Sequence, residues 1–102
     1  MYNEKFKERL TQLRMEKGVS ARDMSLSLGQ NPGYIQNIES GKALPSMTGF
    51  FYICEYFHIE PKDFFDFEIK HPEKLNIILE DLNSLNQEQL INIGAIIKGL
   101  KH

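Results

Sequence analysis

The stretch Ser20–Gly41, SARDMSLSLGQNPGYIQNIESG, constrains this chain more than any other. Ser20 is a helix-capping residue, and Asp23 stands three positions on in a capping-box arrangement. Val19 and Met24 are spaced to form a hydrophobic staple across that start, and Met24 with Leu28 gives the helix an inward face. Gly29 follows, and glycine turns a chain through positive φ at little steric cost. Asn31 reads as the cap of a second helix, and Pro32 suits a first helical position, where no amide hydrogen is needed. Ile35 and Ile38 point inward, and Gly41 ends the element. The spacing predicts two short helices about a tight turn, the second over 31–40.

The rest of the chain is built to hold that pair. Asn3 to Lys17 reads as a helix capped by Asn3, with Phe6, Leu10 and Leu13 as its apolar stripe and Gly18 as its left-handed end. Ser46 caps a fourth helix. FFYICEYFHI has strand-like composition, yet Met47, Phe50, Phe51, Cys54 and Phe57 recur at helical spacing, so a helix filling the core is expected. Pro61 opens a short fifth helix, from which Phe64 and Phe65 close the core. Asp66–Pro72 reads as a linker, because a proline restrains the residue before it from continuing a helix.

Beyond it, Glu73–Leu82 carries Leu75, Ile78, Leu79 and Leu82 at helical spacing. Asn86 caps another helix, with Gln89 at the box position and a Leu85/Leu90 staple. That last helix is apolar around most of its girth, which a surface helix is not. Either the hairpin packs on the first domain or it meets its own copy. The second is favoured, with Leu90, Ile93, Gly94, Ile97 and Leu100 as the dimerising residues, because a small domain has little spare apolar surface. The expectation is an all-α chain: a five-helix domain over 1–68 and a two-helix dimerising hairpin over 69–102.

Charge and cysteine use narrow the function classes. The net charge of −2 divides unevenly. Residues 1–42 hold seven Lys/Arg against five acids, a net +2, and residues 43–102 hold five against nine, a net −4. The basic excess falls on the half that carries the paired short helices. The single Cys54 excludes a disulfide framework and multi-cysteine zinc patterns, and it reads as a small buried apolar residue. No apolar run approaches the ~20 residues that cross a bilayer. MYNEKFKERL lacks the apolar stretch of a signal peptide, so a cytoplasmic protein is expected. His58, His71 and His102 share no metal-ligand spacing, and no nucleophile has a His/Asp partner pattern. No enzyme, cofactor, metal or small-molecule ligand is expected.

Two helices joined by a short glycine-containing turn form a helix-turn-helix. The residues from Lys5 to Asp66 go further and resemble the Cro/C1-type (XRE) family of phage and bacterial regulators. The markers are Leu10-x-x-Leu13-Arg14, Gly18-Val19-Ser20, Leu28-Gly29, Ile35-x-x-Ile38-Glu39-x-Gly41, Pro45-Ser46 and Asp63-Phe64-Phe65. The resemblance implies a five-helix, lambda-repressor-like fold that binds operator DNA, commonly as a dimer. It implies that helix 31–40 is the recognition helix, with Asn31, Pro32, Gly33, Gln36 and Asn37 facing DNA. It also implies a structural ion pair between Arg14 and Glu39. Three positions depart from the family's polar pattern: Ala21 stands where a glutamine is usual, and Pro32 and Gly33 offer no side chain that reads a base.

The expected assignment follows. Gln36, Asn37 and Asn31 contact bases, since an amide can pair bidentately with adenine. Arg22, Lys42, Lys17, Gly33, Ser40 and Tyr34 contact the backbone, which positions a protein without reading sequence. The expected function is a sequence-specific, repressor-like transcriptional regulator, dimeric on double-stranded DNA. The alternative is a helix-turn-helix module kept for protein interaction, or an antitoxin-type partner with weak DNA binding.

Overall fold

Each apolar stripe becomes a helix. The computed structural model describes residues 1–101, and His102 lies outside the described residues. The elements are α1 (Tyr2–Lys17), α2 (Ala21–Ser27), α3 (Tyr34–Glu39), α4 (Met47–Tyr56), α5 (Pro61–Phe64), α6 (Pro72–Asn83) and α7 (Gln87–Leu100). No strand occurs among the described residues.

Local chemistry explains most boundaries. Gly18 ends α1 in the left-handed conformation at φ 75°, and its amide donates to the Arg14 and Met15 carbonyls. Ser20, Ser46 and Asn86 each accept an amide hydrogen with the side chain, starting α2, α4 and α7. Asn86 and Gln89 complete a reciprocal capping box. The expected Asn3 cap is corrected: Asn3 lies inside α1, and Met1 occupies the cap position, its carbonyl accepting from the Lys5 amide at 3.2 Å.

The core gathers Leu10 and Leu13 of α1, Met24 of α2, Ile35 and Ile38 of α3, Phe50, Ile53 and Cys54 of α4, and Phe64 of α5, with Phe57 and Ile59 beside them. Phe6, Phe50 and Phe64 stack at its centre, Phe6 to Phe64 at 4.9 Å and Phe50 to Phe64 edge-on at 5.1 Å. Three aromatic or thioether side chains expected inside are not there. Met47 is 66% exposed, Phe51 47% and Phe65 50%. The buried stripe of α4 runs Phe50, Ile53, Cys54, Phe57, at +3, +4 and +7. Met47 precedes it at the helix end, and Phe51 sits on its flank. Phe65 rests on the rings of Phe50 and Phe64 from outside.

Arg9 joins the chain's two sides and is only 2% exposed. Its Nε donates to the Phe64 carbonyl, and its terminal nitrogens donate to the Asp63 and Ile69 carbonyls, all at 2.7 Å. Burial lowers its pKa, but an arginine keeps its charge in a protein. The guanidinium therefore closes the carboxyl-terminal end of α5, where the helix dipole is negative.

The last two helices behave differently. Pro72 is the one buried residue of α6, and α7 has none. Leu75, Ile77, Ile78 and Leu79 of α6 are exposed, as are Leu90, Ile91, Ile96, Ile97 and Leu100 of α7. The molecule is correspondingly elongated, 50 × 27 × 23 Å.

Candidate nucleic-acid interface

The site is built on the joint between α2 and α3, and a buried hydroxyl holds that joint. Ser25 Oγ donates to the Ala21 carbonyl at 2.7 Å and accepts from the Ile35 amide at 2.9 Å. One side chain thus ties the middle of α2 to the first turn of α3. Gly29 turns the chain at φ 73°, and the Gln30 amide returns to the Ser25 carbonyl at 3.0 Å.

The start of α3 differs from the expected helix over 31–40. Asn31-Pro32-Gly33-Tyr34 is a β-turn, closed by the Tyr34 amide on the Asn31 carbonyl at 3.1 Å. Gly33 has φ −94° and ψ 2°, the values of the third residue in a type I turn. Asparagine at the first position and proline at the second are the preferred occupants of that turn, so local preference wins over helix extension. Gly33, not Asn31, takes the cap position, and the Asn31 Oδ1 accepts from the Gly33 amide at 3.1 Å.

At its other end α3 is held by charge. Arg14 grips Glu39 with two hydrogen bonds, Nε to Oε2 at 2.7 Å and a terminal nitrogen to Oε1 at 3.0 Å. Thr11 Oγ1 also donates to Glu39 Oε1, and Arg14 donates to the Val19 carbonyl. The hydrogen bond to Glu39 raises the Arg14 pKa against the opposing effect of burial. An acid at a helix carboxyl terminus opposes the macrodipole, and the bidentate arginine compensates it.

Between these anchors lies an exposed polar face. Asn31, Gln36, Asn37 and Ser40 are exposed, and no acid occurs between Asp23 and Glu39. A Cβ placed on Gly33 would lie 3.7 Å from Asn31 Oδ1 and 3.9 Å from Asn37 Nδ2, so the two amides flank Gly33 on one side. Ser40 Oγ donates to the Asn37 carbonyl at 3.2 Å. Arg22 and Lys42 are exposed at the two ends of the pair of helices.

Tyr34 is half-buried, and burial raises its pKa. A Cβ on Gly49 would stand 2.7 Å from the Tyr34 hydroxyl oxygen, so the missing side chain at the start of α4 makes room for that ring. Lys17 is engaged elsewhere: its Nζ is 3.9 Å from Glu73 Oε2 and 5.1 Å over the Tyr56 ring. Ala21 packs partly against the core.

Of the residues singled out from the sequence, the structure brings together Asn31, Gly33 and Asn37, and seats α3 between Ser25 and the Arg14–Glu39 pair. Leu90, Ile97 and Leu100 are exposed on α7, Ile93 and Gly94 half-buried. Sequence reasoning missed Ser25, Arg9 and Gly49. The signals were slight: a serine where the apolar stripe of α2 continues, an arginine beside Leu10, and a glycine in a helix crowded with aromatics. Among the described residues, no three His, Cys, Asp or Glu side chains converge as a metal would need, and no helix is long and apolar enough to cross a membrane.

No curated protein and no solved structure gives a match to this chain. Residues 7–68, the span from α1 to the far side of α5, match the helix-turn-helix domain family. With that span covering more than half of its length, the chain belongs to the helix-turn-helix domain family.

Proposed function

We propose that the protein is a repressor-like transcriptional regulator that reads double-stranded DNA by setting α3 and the turn before it into the major groove. The observation that carries this is the acid-free face on which Asn31, Gln36 and Asn37 stand exposed, on a helix locked at both ends. Gln36 and Asn37 would pair with base edges, and the free amide nitrogen of Asn31 would reach base or phosphate at the helix start. Arg22 and Lys42 supply cationic phosphate contacts, and Ser40, Tyr34 and the Gly33 backbone lie beside them. Lys17, engaged with Glu73, is left out of this set.

The dimer is part of the same proposal. The exposed apolar residues of α6 and α7 give a second copy something to cover. A Cβ on Gly94 would meet no atom within 4 Å, so the surface over it is open to a close helix approach. Two copies would set their recognition helices in successive major grooves, about 34 Å apart. A cytoplasmic location belongs to this proposal.

A second reading rests on the shortness of α3 and on Asn31 Oδ1 being taken by its own turn. A face with so few reading groups would suit a protein partner or an antitoxin role. Selection from a random DNA pool at moderate salt separates the two. A palindromic consensus supports the regulator, and failure to enrich any sequence, with capture of a protein instead, supports the alternative. On the selected site, Asn37→Ala should cost about 1–3 kcal/mol and relax the preference at one position. Lys42→Ala should weaken all sequences alike and reduce the salt slope by about one. A changed base preference in Lys42→Ala would overturn this division of roles.

A further inference from the structure

The segment between α5 and α6 is fastened to α1 along its length. Ile69 is held through its carbonyl by the buried Arg9 at 2.7 Å. Two residues later, the His71 amide donates to Glu16 Oε2 at 3.2 Å. His71 has the left-handed φ of 56°, which turns the chain into α6. Pro72, the first residue of α6, is buried and lines a small cleft with Leu13, Phe57 and Ile59. One turn further, Asn76 Nδ2 donates to Asp63 Oδ2 at 3.1 Å. An apolar peg and three hydrogen bonds thus attach this segment and the start of α6 to the helix-turn-helix block at points spread over two elements, α1 and the end of α5. A linker of this length serving only as a tether would need none of these bonds.

We infer that this clasp fixes the direction in which the tail leaves the DNA-reading block, making Glu16 and Asn76 positioning residues for half-site spacing. The inference rests on the dimeric reading above. If copies meet through α6 and α7, the separation and rotation of the two α3 helices pass through the clasp. Adding one base pair moves a half-site about 3.4 Å along the duplex and turns it by roughly one-tenth of a helical turn. A free tether absorbs such a change, and a clasped one transmits it as strain. Neither Glu16 nor Asn76 belongs to the face carrying Gln36 and Asn37, so spacing is separable from base preference.

The test is selection from a random duplex pool, run in parallel on the full chain, the Glu16→Ala/Asn76→Ala variant and the conservative Glu16→Gln variant. The last keeps an oxygen to accept from the His71 amide. Sedimentation of each protein is measured alongside. The wild type should enrich one half-site spacing by about tenfold over spacings one base pair shorter or longer. The double variant should enrich the same half-site sequence across several spacings while remaining dimeric, and Glu16→Gln should keep the single spacing. A dimeric double variant with the wild-type spacing profile would overturn the positioning role of Glu16 and Asn76 and leave the dimeric regulator standing. A changed half-site sequence in that variant would also overturn it, because Glu16 would then act on the reading block itself. A monomeric wild type, or a consensus with no inverted repeat, would overturn the dimeric reading and this inference together.

Discussion

From α1 to α5, a guanidinium, a hydroxyl and an ion pair are withdrawn from water, and each has hydrogen-bond partners inside the fold. In α6 and α7 the reverse holds: Leu79, Ile91, Ile96 and Leu100 face solvent with nothing over them. The first region obtains its geometry from polar groups whose partners are fixed in direction. The second presents apolar area, which favours burial but specifies no direction of its own. The difference assigns each a physical role: the block is complete within one chain, and the tail lacks a covering surface.

The largest effect should come from breaking the ion pair in the block. Arg14→Ala leaves Glu39 with one hydroxyl partner in a mostly buried site and should destabilise the domain by about 3–5 kcal/mol in urea unfolding. Arg14→Met combined with Glu39→Leu should recover most of that loss, since an apolar pair leaves no uncompensated charge. If the single variant unfolds like the wild type, the block is not organised by its buried polar groups.

Ser25→Ala comes next. It leaves the Ile35 amide without a partner inside the protein, at a cost of about 1–3 kcal/mol. Hydrogen exchange at Ile35 should accelerate before exchange in α1 does. Gly49→Ala should cost about 1–3 kcal/mol through its clash with the Tyr34 hydroxyl. Tyr34→Phe removes that oxygen, so the double variant should be more stable than Gly49→Ala alone. Additive losses would show that the two residues do not meet as described.

The smallest effect on unfolding belongs to the tail. Ile97→Ser with Leu100→Ser should change the midpoint for the block by no more than about 0.5 kcal/mol, because exposed side chains contribute little within one chain. If the proposed dimer forms through α6 and α7, sedimentation should nonetheless shift toward the monomer. A large loss of block stability would mean that the two regions are one cooperative unit.

How much could be read beforehand follows the same division. Periodicities of three and four marked the long helices, but they report amphipathic character rather than burial, since the stripes of α6 and α7 are exposed. Ser20, Ser46 and Asn86 announced their helices, since capping is local chemistry. Asn31-Pro32-Gly33 was ambiguous because the same three residues serve as a cap with a first turn or as a type I turn. The type I turn is the one present, and Ser25 holds the Ile35 amide just beyond it, a contact that spacing does not announce. Met47, Phe51 and Phe65 show the limit of composition: an aromatic-rich helix has more apolar side chains than one core face can accept. Arg9 was hard to find from spacing, as three of its acceptors are backbone carbonyls, which any residue supplies.

The position of those carbonyls has a consequence for synthesis. Arg9 emerges before the backbone carbonyls that hold it, which lie 54, 55 and 60 residues later in the chain. Until Ile69 has left the ribosome, the guanidinium lacks its full set of partners and favours water over the core. Closing the helix-turn-helix block before then would bury that charge with an incomplete set of acceptors, which is costly. The block can, however, close before α7 appears, since none of Arg9's bonds reaches that helix. The apolar tail would then be delivered by an already folded neighbour, which limits its chance of sticking to the nascent core and leaves it free to meet a second chain.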